Sequence, residues 1–508
     1  MKRQYVTGIA LWFMCGVLMA QNETDAFRYA QYSPTGTARY TSLGGSMGGF
    51  GADFTVLSAN NPAGIGLYKR SEIAFTPVLQ YTTITSNYNG SSQKYGDYSF
   101  RLNNIGFVLS VPVSSKWKYI QFATGYNNLA RYDGYSVVKG MNHSDQTGTT
   151  NFIDYIAAQV KGISSNEIFM FENDPNYLQS SIQRHMASFA WFHWLIDTVP
   201  GTNEYYNTVK DKFEQKQITT TKGYLNEYVF SMGGNYDDKL YIGATIGIPF
   251  FKYSQRKTYT EFAQTFLDEV KHYDELKYYD EFQARATGVN FKFGLLYQPF
   301  KFMRFGAGIH TPTLYNNVKE SYFESFSISS YAIDTIKNGP RVPDHEGSFN
   351  YQLITPYRVI GNIAFLFDRY GFLNIDYEYV DYTASQMKSH DYDFATENNN
   401  IKHYYQGTHN IRVGTEINLT PVAFRLGYSY TSNPYKKIEG SEVNRDGTTH
   451  IIAAGIGFKT RYFFIDFAYR YKMLSNKDMF YVASNLNPYS IDLVNQQFAL
   501  TLGCKLGK

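Results

Sequence analysis

The chain has 508 residues, a formal net charge of +3, an aromatic fraction of 18% and two cysteines. Near-neutrality gives no support to nucleic-acid binding, and with no run of 18 apolar residues a helical membrane protein is excluded. A single soluble domain of this length would be unusually large, whereas one barrel with big loops would not.

Residues 1–20 read as a secretory signal, with Lys2 and Arg3 as the charged region, Ile9 to Met19 as the apolar core and Ala20 before the cut at Gln21. A lipoprotein signal at Cys15 is the alternative, disfavoured by the bulky Met14 before it. Once the signal is removed Cys504 is the sole cysteine, so no intramolecular disulfide is expected.

Residues 21–71 show no strand alternation and are dominated by small side chains. They include Gly36-Thr37-Ala38-Arg39, then Gly44-Gly45-Ser46-Met47-Gly48-Gly49-Phe50-Gly51-Ala52-Asp53, then Asn60-Asn61-Pro62-Ala63-Gly64-Ile65. Such a segment folds compactly in a confined space. Strand one is expected at Glu72–Gln80.

From residue 72 onward roughly fourteen β-patterned segments follow, joined alternately by tight turns and long loops. The tight joins are Val113–Trp117, Tyr236–Lys239, Gln298–Lys301, Asp368–Tyr370, Leu419–Pro421 and Thr460–Arg461. The long polar stretches fall near 87–96, 131–217, 258–283, 316–346, 388–402, 434–447 and 473–491. Short turns at one end and long loops at the other characterise a transmembrane β-barrel.

The strands alternate. Phe463, Ile465, Phe467, Tyr469 and Tyr471 share one face, against Phe464, Asp466, Ala468 and Arg470 on the other. Phe424, Leu426 and Tyr428 likewise oppose Ala423, Arg425 and Gly427. A soluble sandwich also alternates, but these apolar faces end in Tyr and Phe, as an interfacial girdle requires. Strands in lipid must also close, because an open edge leaves backbone groups unpaired. The other face carries Lys292, Asp376, Glu378, Arg412, Glu416, Arg425, Asp466 and Arg470. Charges in a wet lumen pair across neighbouring strands, or they anchor a plug or select a solute.

The small-residue segment, with Asn61-Pro62-Ala63 following the Gly-rich run and Asp53, resembles the N-terminal hatch of the FadL/TodX family of outer-membrane transporters for long-chain fatty acids and hydrocarbons. The stretches Gly288-Val289-Asn290 to Pro299, Arg304-Phe305-Gly306 to Thr311-Pro312, and Arg412-Val413-Gly414 to Arg425-Leu426-Gly427-Tyr428 extend the likeness over most of the barrel. The C-terminus departs from it, since many barrels end on an aromatic residue and this one ends Cys504-Lys505-Leu506-Gly507-Lys508.

The resemblance implies a fourteen-stranded all-β barrel with a lumenal hatch and helical extracellular loops, in the outer membrane of a Gram-negative-type bacterium. Hatch and gating roles fall to Gly48, Gly49, Asp53, Asn61, Pro62, Ala63 and Gly64. Ligand is expected to be caught among loop helices, to pass a greasy interior site, and to leave sideways through a kink in strand three. Strand three is read as Lys118 to Tyr132, and its alternation falters at Gly125-Tyr126-Asn127-Asn128. Gly and Asn in mid-strand favour a kink, unless the strand is simply leaving the membrane there.

The 131–217 insertion carries two helical patterns, Phe152, Ile153, Ile156 and Val160, then a helix opened by Asp174-Pro175. The second runs through Leu178, Ile182 and Met186 into Phe189, Trp191, Phe192, Trp194 and Leu195. Two readings stand, a small core over the barrel rim or a greasy capture groove. Gly44-Gly45-Ser46-Met47-Gly48 spells G-x-S-x-G, but a Gly-rich plug is not the strand–turn–helix that motif needs, so no enzyme is expected. His185 and His193 are eight apart, too far for paired ligands one turn apart, although haem capture stays open as an alternative; no cofactor or metal is expected.

The function expected from this reading is passive uptake of small hydrophobic molecules, fatty acids or similar lipids first among them. Its partners would be that ligand, outer-membrane lipids with lipopolysaccharide, and the barrel-assembly machinery, with no nucleic acid and a monomeric state. The rival reading is an adaptor or shuttle barrel in a protein-secretion complex.

Overall fold

The computed structural model describes residues 23–142, 144–145, 148–170, 182–265, 273–329, 342, 344–438, 445–481 and 486–506. The expected signal at 1–20, and the helix start at Asp174-Pro175 with Leu178, lie outside these residues.

Fourteen antiparallel strands form the wall: β1 Ser71–Tyr88, β2 Ser91–Pro112, β3 Trp117–Arg131, β4 Lys212–Tyr236, β5 Leu240–Thr265, β6 in two pieces (Glu275–Thr287 and Asn290–Phe300), β7 in two (Met303–His310 and Leu314–Ser329), β8 in two (His345–Ile354 and Arg358–Leu366), β9 Gly371–Asp381, β10 Gly407–Leu419, β11 Val422–Thr431, β12 Thr449–Lys459, β13 Phe463–Asp478 and β14 Tyr489–Leu506. β1 pairs with both β2 and β14, so the sheet closes. Closure satisfies backbone groups that lipid cannot. Among the described residues no helix is long and apolar enough to cross a membrane.

The alternation read from sequence is the alternation of the wall. On β6, Phe291, Phe293, Leu295 and Tyr297 point out and are 44–51% exposed, while Asn290 and Lys292 between them point in and are buried. The outward rows of Phe, Tyr, Ile and Leu form the apolar band a bilayer needs. β5 is 26 residues long, about 85 Å at 3.3 Å per residue, against a lipid-facing band about 25 Å tall. Its upper part therefore stands clear of lipid.

This extension corrects several loop boundaries. Residues 87–96 are not a long loop: β1 and β2 meet across Asn89 and Gly90, both with positive φ. An Asn-Gly pair favours such a two-residue turn, and the polar strands beside it mimic a loop because they stand above the apolar band. The same cause places strand in much of 258–283, 316–346 and 473–491. β1 likewise continues to Tyr88 rather than stopping at Gln80, and the 298–301 join lies two residues later, between Phe300 and Met303.

The N-terminal segment lies inside the barrel. It comprises α1 (Glu23–Ala30), α2 (Ala38–Ser42), α3 (Val56–Ala59) and a 3-10 helix, Pro62–Leu67. α2 packs against β11 to β14 and the 3-10 helix against β3 to β6, so the plug touches opposite walls. α1 sits nearer the long-loop end, where Tyr29 stacks on Phe251 at 3.9 Å and Phe27 on Tyr405 at 4.7 Å.

The large insertion carries α4 (Phe152–Gln159), α5 (Ser165–Met170) and α6 (Ile182–Phe192), and α7 (Ala395–Tyr404) lies in a later loop. α4 and α6 share a buried apolar cluster with Phe213 of β4, Tyr259 of β5, Leu276 of β6 and Phe326 of β7. Glu261 anchors it: its carboxylate accepts from Phe152 N at the start of α4 (2.9 Å), from Tyr259 Oη (2.6 Å) and from Gln215 Nε2 (2.9 Å). A carboxylate at a helix N-terminus satisfies free N–H groups and the dipole together.

Candidate functional site

The plug is fixed to the wall by the charges and amides of the inward face. Arg39 of α2 donates from Nε and Nη2 to the two oxygens of Glu416, each at 2.8 Å. Arg425 bridges the same Glu416 (2.7 Å) to Asp466 (2.6 Å). Asp376 accepts from Gly48 N (2.9 Å), Asn60 Nδ2 (2.9 Å), Asn362 Nδ2 (2.7 Å) and Asn374 Nδ2 (2.9 Å). Gly49 N and Phe50 N both donate to Asn374 Oδ1 at 3.1 Å. Gly48 has no room for a side chain, since a Cβ there would lie 2.2 Å from Asn362 Nδ2.

Asn61 caps the 3-10 helix by accepting from Ala63 N (3.0 Å), and its Nδ2 donates to Leu295 O, Ala307 O and Asn362 Oδ1. Pro62 occupies the first helical position, where its missing N–H costs nothing. Pro62, Ala63 and Gly64 lie against the wall or the plug itself: a Cβ on Gly243 would meet Pro62 O at 2.3 Å, and one on Gly64 would meet Gly51 Cα at 3.1 Å. Asp53 stays within the plug and accepts from Thr37 Oγ1 (2.6 Å) and Thr55 N (2.9 Å). Burial raises its carboxyl above the ordinary value, against the pull of those donors. Ser46 is fully buried and donates to Asn374 O (3.0 Å) and Arg412 O (3.2 Å), the geometry of a strut.

The eight inward charges read from sequence are all buried. Seven of them are neutralised or fully hydrogen-bonded. Lys292 pairs with Glu227, which also accepts from Ser58 of α3, and Glu378 pairs with Arg358 (2.9 Å) and Arg412 (3.1 Å). Glu227, Arg358, Asn362 and Asn374 were missed in the sequence reading. Glu227 lies between Leu225 and Val229, which are buried against the plug, so its face looks apolar. The eighth, Arg470, meets only neutral partners: Gln497 Oε1 (3.3 Å) and Ser33 Oγ (2.8 Å).

Among the described residues the ladder parts at a seam between β2 and β3. β2 and β3 pair from Pro112–Tyr119 up to Asn104–Asn127 and no further. Above that point residues 91–103 of β2 pair with β1 alone. β3 follows β4 instead, with a register shift between Asn128 and Ala130, and Gly134–Met141 continues along β4. Asn104 Nδ2 donates to Asn127 Oδ1 at the last pair, and Asn128 Nδ2 donates to Ala130 O (3.1 Å) and Asn226 Oδ1 (2.8 Å) across the bulge. Gly125 is not the bend: it stays in register with Gly106, and the two glycines make space for the Phe54 ring of the plug. Strand three runs Trp117–Arg131, one residue earlier at each end than the sequence reading.

Two cavities flank the plug. Toward the short turns lies one of about 810 Å³ bordered by Arg39, Glu416, Arg425 and Asp466. Above the plug lies one of about 250 Å³ reaching Asn128, Arg131 and Asp133 at the seam. A groove of Thr82, Asp97, Ser99, Asp133 and Tyr135 borders the second through shared residues. The chamber is not greasy, as the resemblance implied; six Arg and Lys side chains and two carboxylates line it.

The five loop residues read as ligand-capturing do not come together on one surface. Leu195 is buried in the cap, with Phe189 and Trp191 packed on its edge. Phe192 meets Phe169 at 5.2 Å, and Trp194 is 63% exposed at the helix end with φ of 59°. Neither cavity beside the plug is lined by any of the five. His193 stacks on Phe189 at 4.1 Å with Nδ1 2.8 Å from Phe189 O, and burial lowers its pKa. His185 is buried. Among the described residues no group of three or more His, Cys, Asp or Glu side chains is placed to hold a metal.

No protein-family model and no curated protein matches the chain. Solved structures do. A FadL homologue from Pseudomonas aeruginosa superposes with a TM-score of 0.54 at 14% identity, covering 94% of this chain and 100% of that one. The toluene transporter TodX of P. putida gives 0.52 at 10% identity, with 94% and 100% covered. At such identity the likeness speaks for the fold alone: this chain has the FadL/TodX-type fold, a closed fourteen-stranded barrel.

Proposed function

We propose that the protein admits small hydrophobic or amphiphilic molecules passively across an outer membrane, with long-chain fatty acids or similar lipids as the first candidates. The observation that carries this reading is the seam. A closed barrel in lipid has every reason to complete its ladder, yet β2 and β3 part at Asn104–Asn127 directly beside a chamber above the plug. A gap there opens sideways, so a solute with an apolar part leaves toward lipid and need not pass the hydrogen-bonded plug. The aromatic side chains Tyr95, Tyr98 and Phe100 of β2, which pairs there with β1 alone, and Tyr135 beyond the bulge are exposed around it. That TodX is called a toluene transporter supports the same reading.

With short turns facing inward, as in bacterial outer-membrane barrels, the capped end faces outward. The plug network, the loop cap and the seam are then a fixed gate, a cover and an exit. Direct calorimetric titration of the detergent-purified protein with a long-chain fatty acid tests the reading. Saturable micromolar binding is expected; no saturable heat with any hydrophobic ligand would turn the reading toward an adaptor barrel.

A further inference from the structure

Three cations stand in one row on the outside of the wall. Lys252 of β5 lies opposite Arg285 of β6, and Arg285 lies opposite Lys319 of β7. All three are exposed on the outward face, with Ile246, Phe291 and Leu314 lower on the same strands. Residues directly opposite on antiparallel strands hold their Cβ atoms about 5 Å apart, and like charges placed so repel. Neutral Tyr224 and Asn350 close the row at its two ends. Lys222 of β4 adds a fourth exposed cation, opposite Ser254 and one outward position above Lys252.

The protein supplies no counter-charge to this row. Among the described residues none of the four cations has a carboxylate within ion-pair distance. The outward positions next above are Ser254, Gln283, Ser321 and Ser348, and those next below include Phe250, Thr287 and Asn317. Glu281 and Glu346 come only one outward position higher again, and Glu281 is already held by Arg256 at 3.1 Å and Tyr279 Oη at 2.7 Å.

The height of the row is set by the strand. From Leu240, the first residue of β5, to Phe250 the chain covers about 33 Å at 3.3 Å per residue. At a tilt of about 40° that is about 25 Å of height, the full lipid-facing band. Lys252 and its two neighbours therefore stand at the upper edge of the band, on the side of the long loops. Beneath them the Phe250 ring stacks on Tyr228 at 5.2 Å, an apolar surface that continues down the wall. Cations at such an edge face the charged headgroups of the leaflet.

We propose that Lys252, Arg285 and Lys319, with Lys222 beside them, bind the phosphate of an outer-leaflet lipid whose acyl chains lie on the wall below. Charge complementarity selects an anion, and the apolar surface directly beneath selects one that carries chains. Three strands at about 4.8 Å spacing make a row about 10 Å wide, broad enough for more than one phosphate. Arg285 offers a forked pair of donors and the lysines add point charge. The site rests on an outer-membrane barrel with its capped end outward, and not on which solute the barrel admits.

The test is native mass spectrometry of the detergent-purified full chain titrated with lipid A, lipid A stripped of its phosphates, and inorganic phosphate. Lipid A is expected to bind at least tenfold more tightly than the stripped form. The triple variant Lys252→Gln, Arg285→Gln and Lys319→Gln should weaken lipid A at least tenfold. Its unfolding midpoint in lipid-free detergent should be no lower than the parent's, because the substitutions remove repulsion. Lys116→Gln, Lys118→Gln and Lys301→Gln, three exposed cations at the short-turn end, should together leave binding unchanged. Equal binding of lipid A by parent and triple variant would overturn the site, as would equal binding of the stripped form. Inorganic phosphate bound as tightly as lipid A would overturn the lipid as occupant. Failure of fatty-acid titration in the parent would count against hydrophobic uptake and leave this site standing, since the row lies outside the lumen.

Discussion

Single side chains decide whether the plug holds. Asp376 is the clearest case, because four N–H donors converge on its carboxylate from Gly48, Asn60, Asn362 and Asn374. Asp376→Asn keeps the volume but turns one acceptor into a donor facing donors. The expected loss is about 3 kcal/mol, the scale of a buried polar group left unsatisfied, and urea unfolding in detergent measures it. Gly48→Ala should harm the same contact by steric means, and an unchanged midpoint in both variants would mean the plug contributes nothing to stability. In the cap, the two tryptophans should separate. Trp191 packs on the buried cluster, so Trp191→Ala should cost about 3 kcal/mol; exposed Trp194 should cost under about 0.5 kcal/mol. If Trp194→Ala instead lowers ligand affinity and Trp191→Ala leaves stability alone, the exposed ring receives ligand and the cap is not a core.

At the scale of elements, the seam is made by one extra residue. The shift between Asn128 and Ala130 leaves Leu129 unmatched against β4, and a bulge of this kind bends its strand away from one neighbour. Deleting Leu129 should return the last residues of β3 to register and draw them back toward β2. Uptake of a fluorescent fatty acid by cells carrying the variant should fall at least tenfold, while the folded barrel stays as resistant to unfolding as before. Uptake at the parent's rate would mean that the seam is not the exit. The seam also shows what sequence could reveal. Faltering alternation at 125–128 points to the right strand, because Asn in mid-strand weakens the pattern. The bend itself is set by which neighbour each strand chooses above Asn104, and pairing partners are not written in one strand's alternation. The outer ends of β1 and β2 were hidden for a related reason. Once a strand rises out of lipid, both its faces become polar, and polarity reads as loop.

The whole molecule is a charged tube whose inner surface is designed around its own N-terminus. The barrel class and its strand number were legible because lipid forces every wall strand into the same two-residue period. The inward charges were legible for that reason too. Their partners were not, since Glu416 meets Arg39 across 377 positions and Asp376 meets Asn60 across 316. If the plug closes the tube, cutting two of its ties to the wall should open an aqueous path. Arg39→Ala removes the bidentate tie to Glu416 but leaves Arg425 to hold that carboxylate, so the wall keeps its charge balance. Combined with Asp376→Ala, it frees α2 and the Gly48–Phe50 stretch from the neighbouring strands β10 and β9 at once. In planar bilayers the parent should show no steady conductance and the double variant should show frequent openings. Protease should also cut the double variant's N-terminal segment faster. Each single variant should fall between, because each leaves the other tie to β9 or β10 in place. A double variant as silent as the parent, with an equally protected N-terminus, would show that the apolar packing of Phe54, Leu57 and Ile65 holds the plug without them.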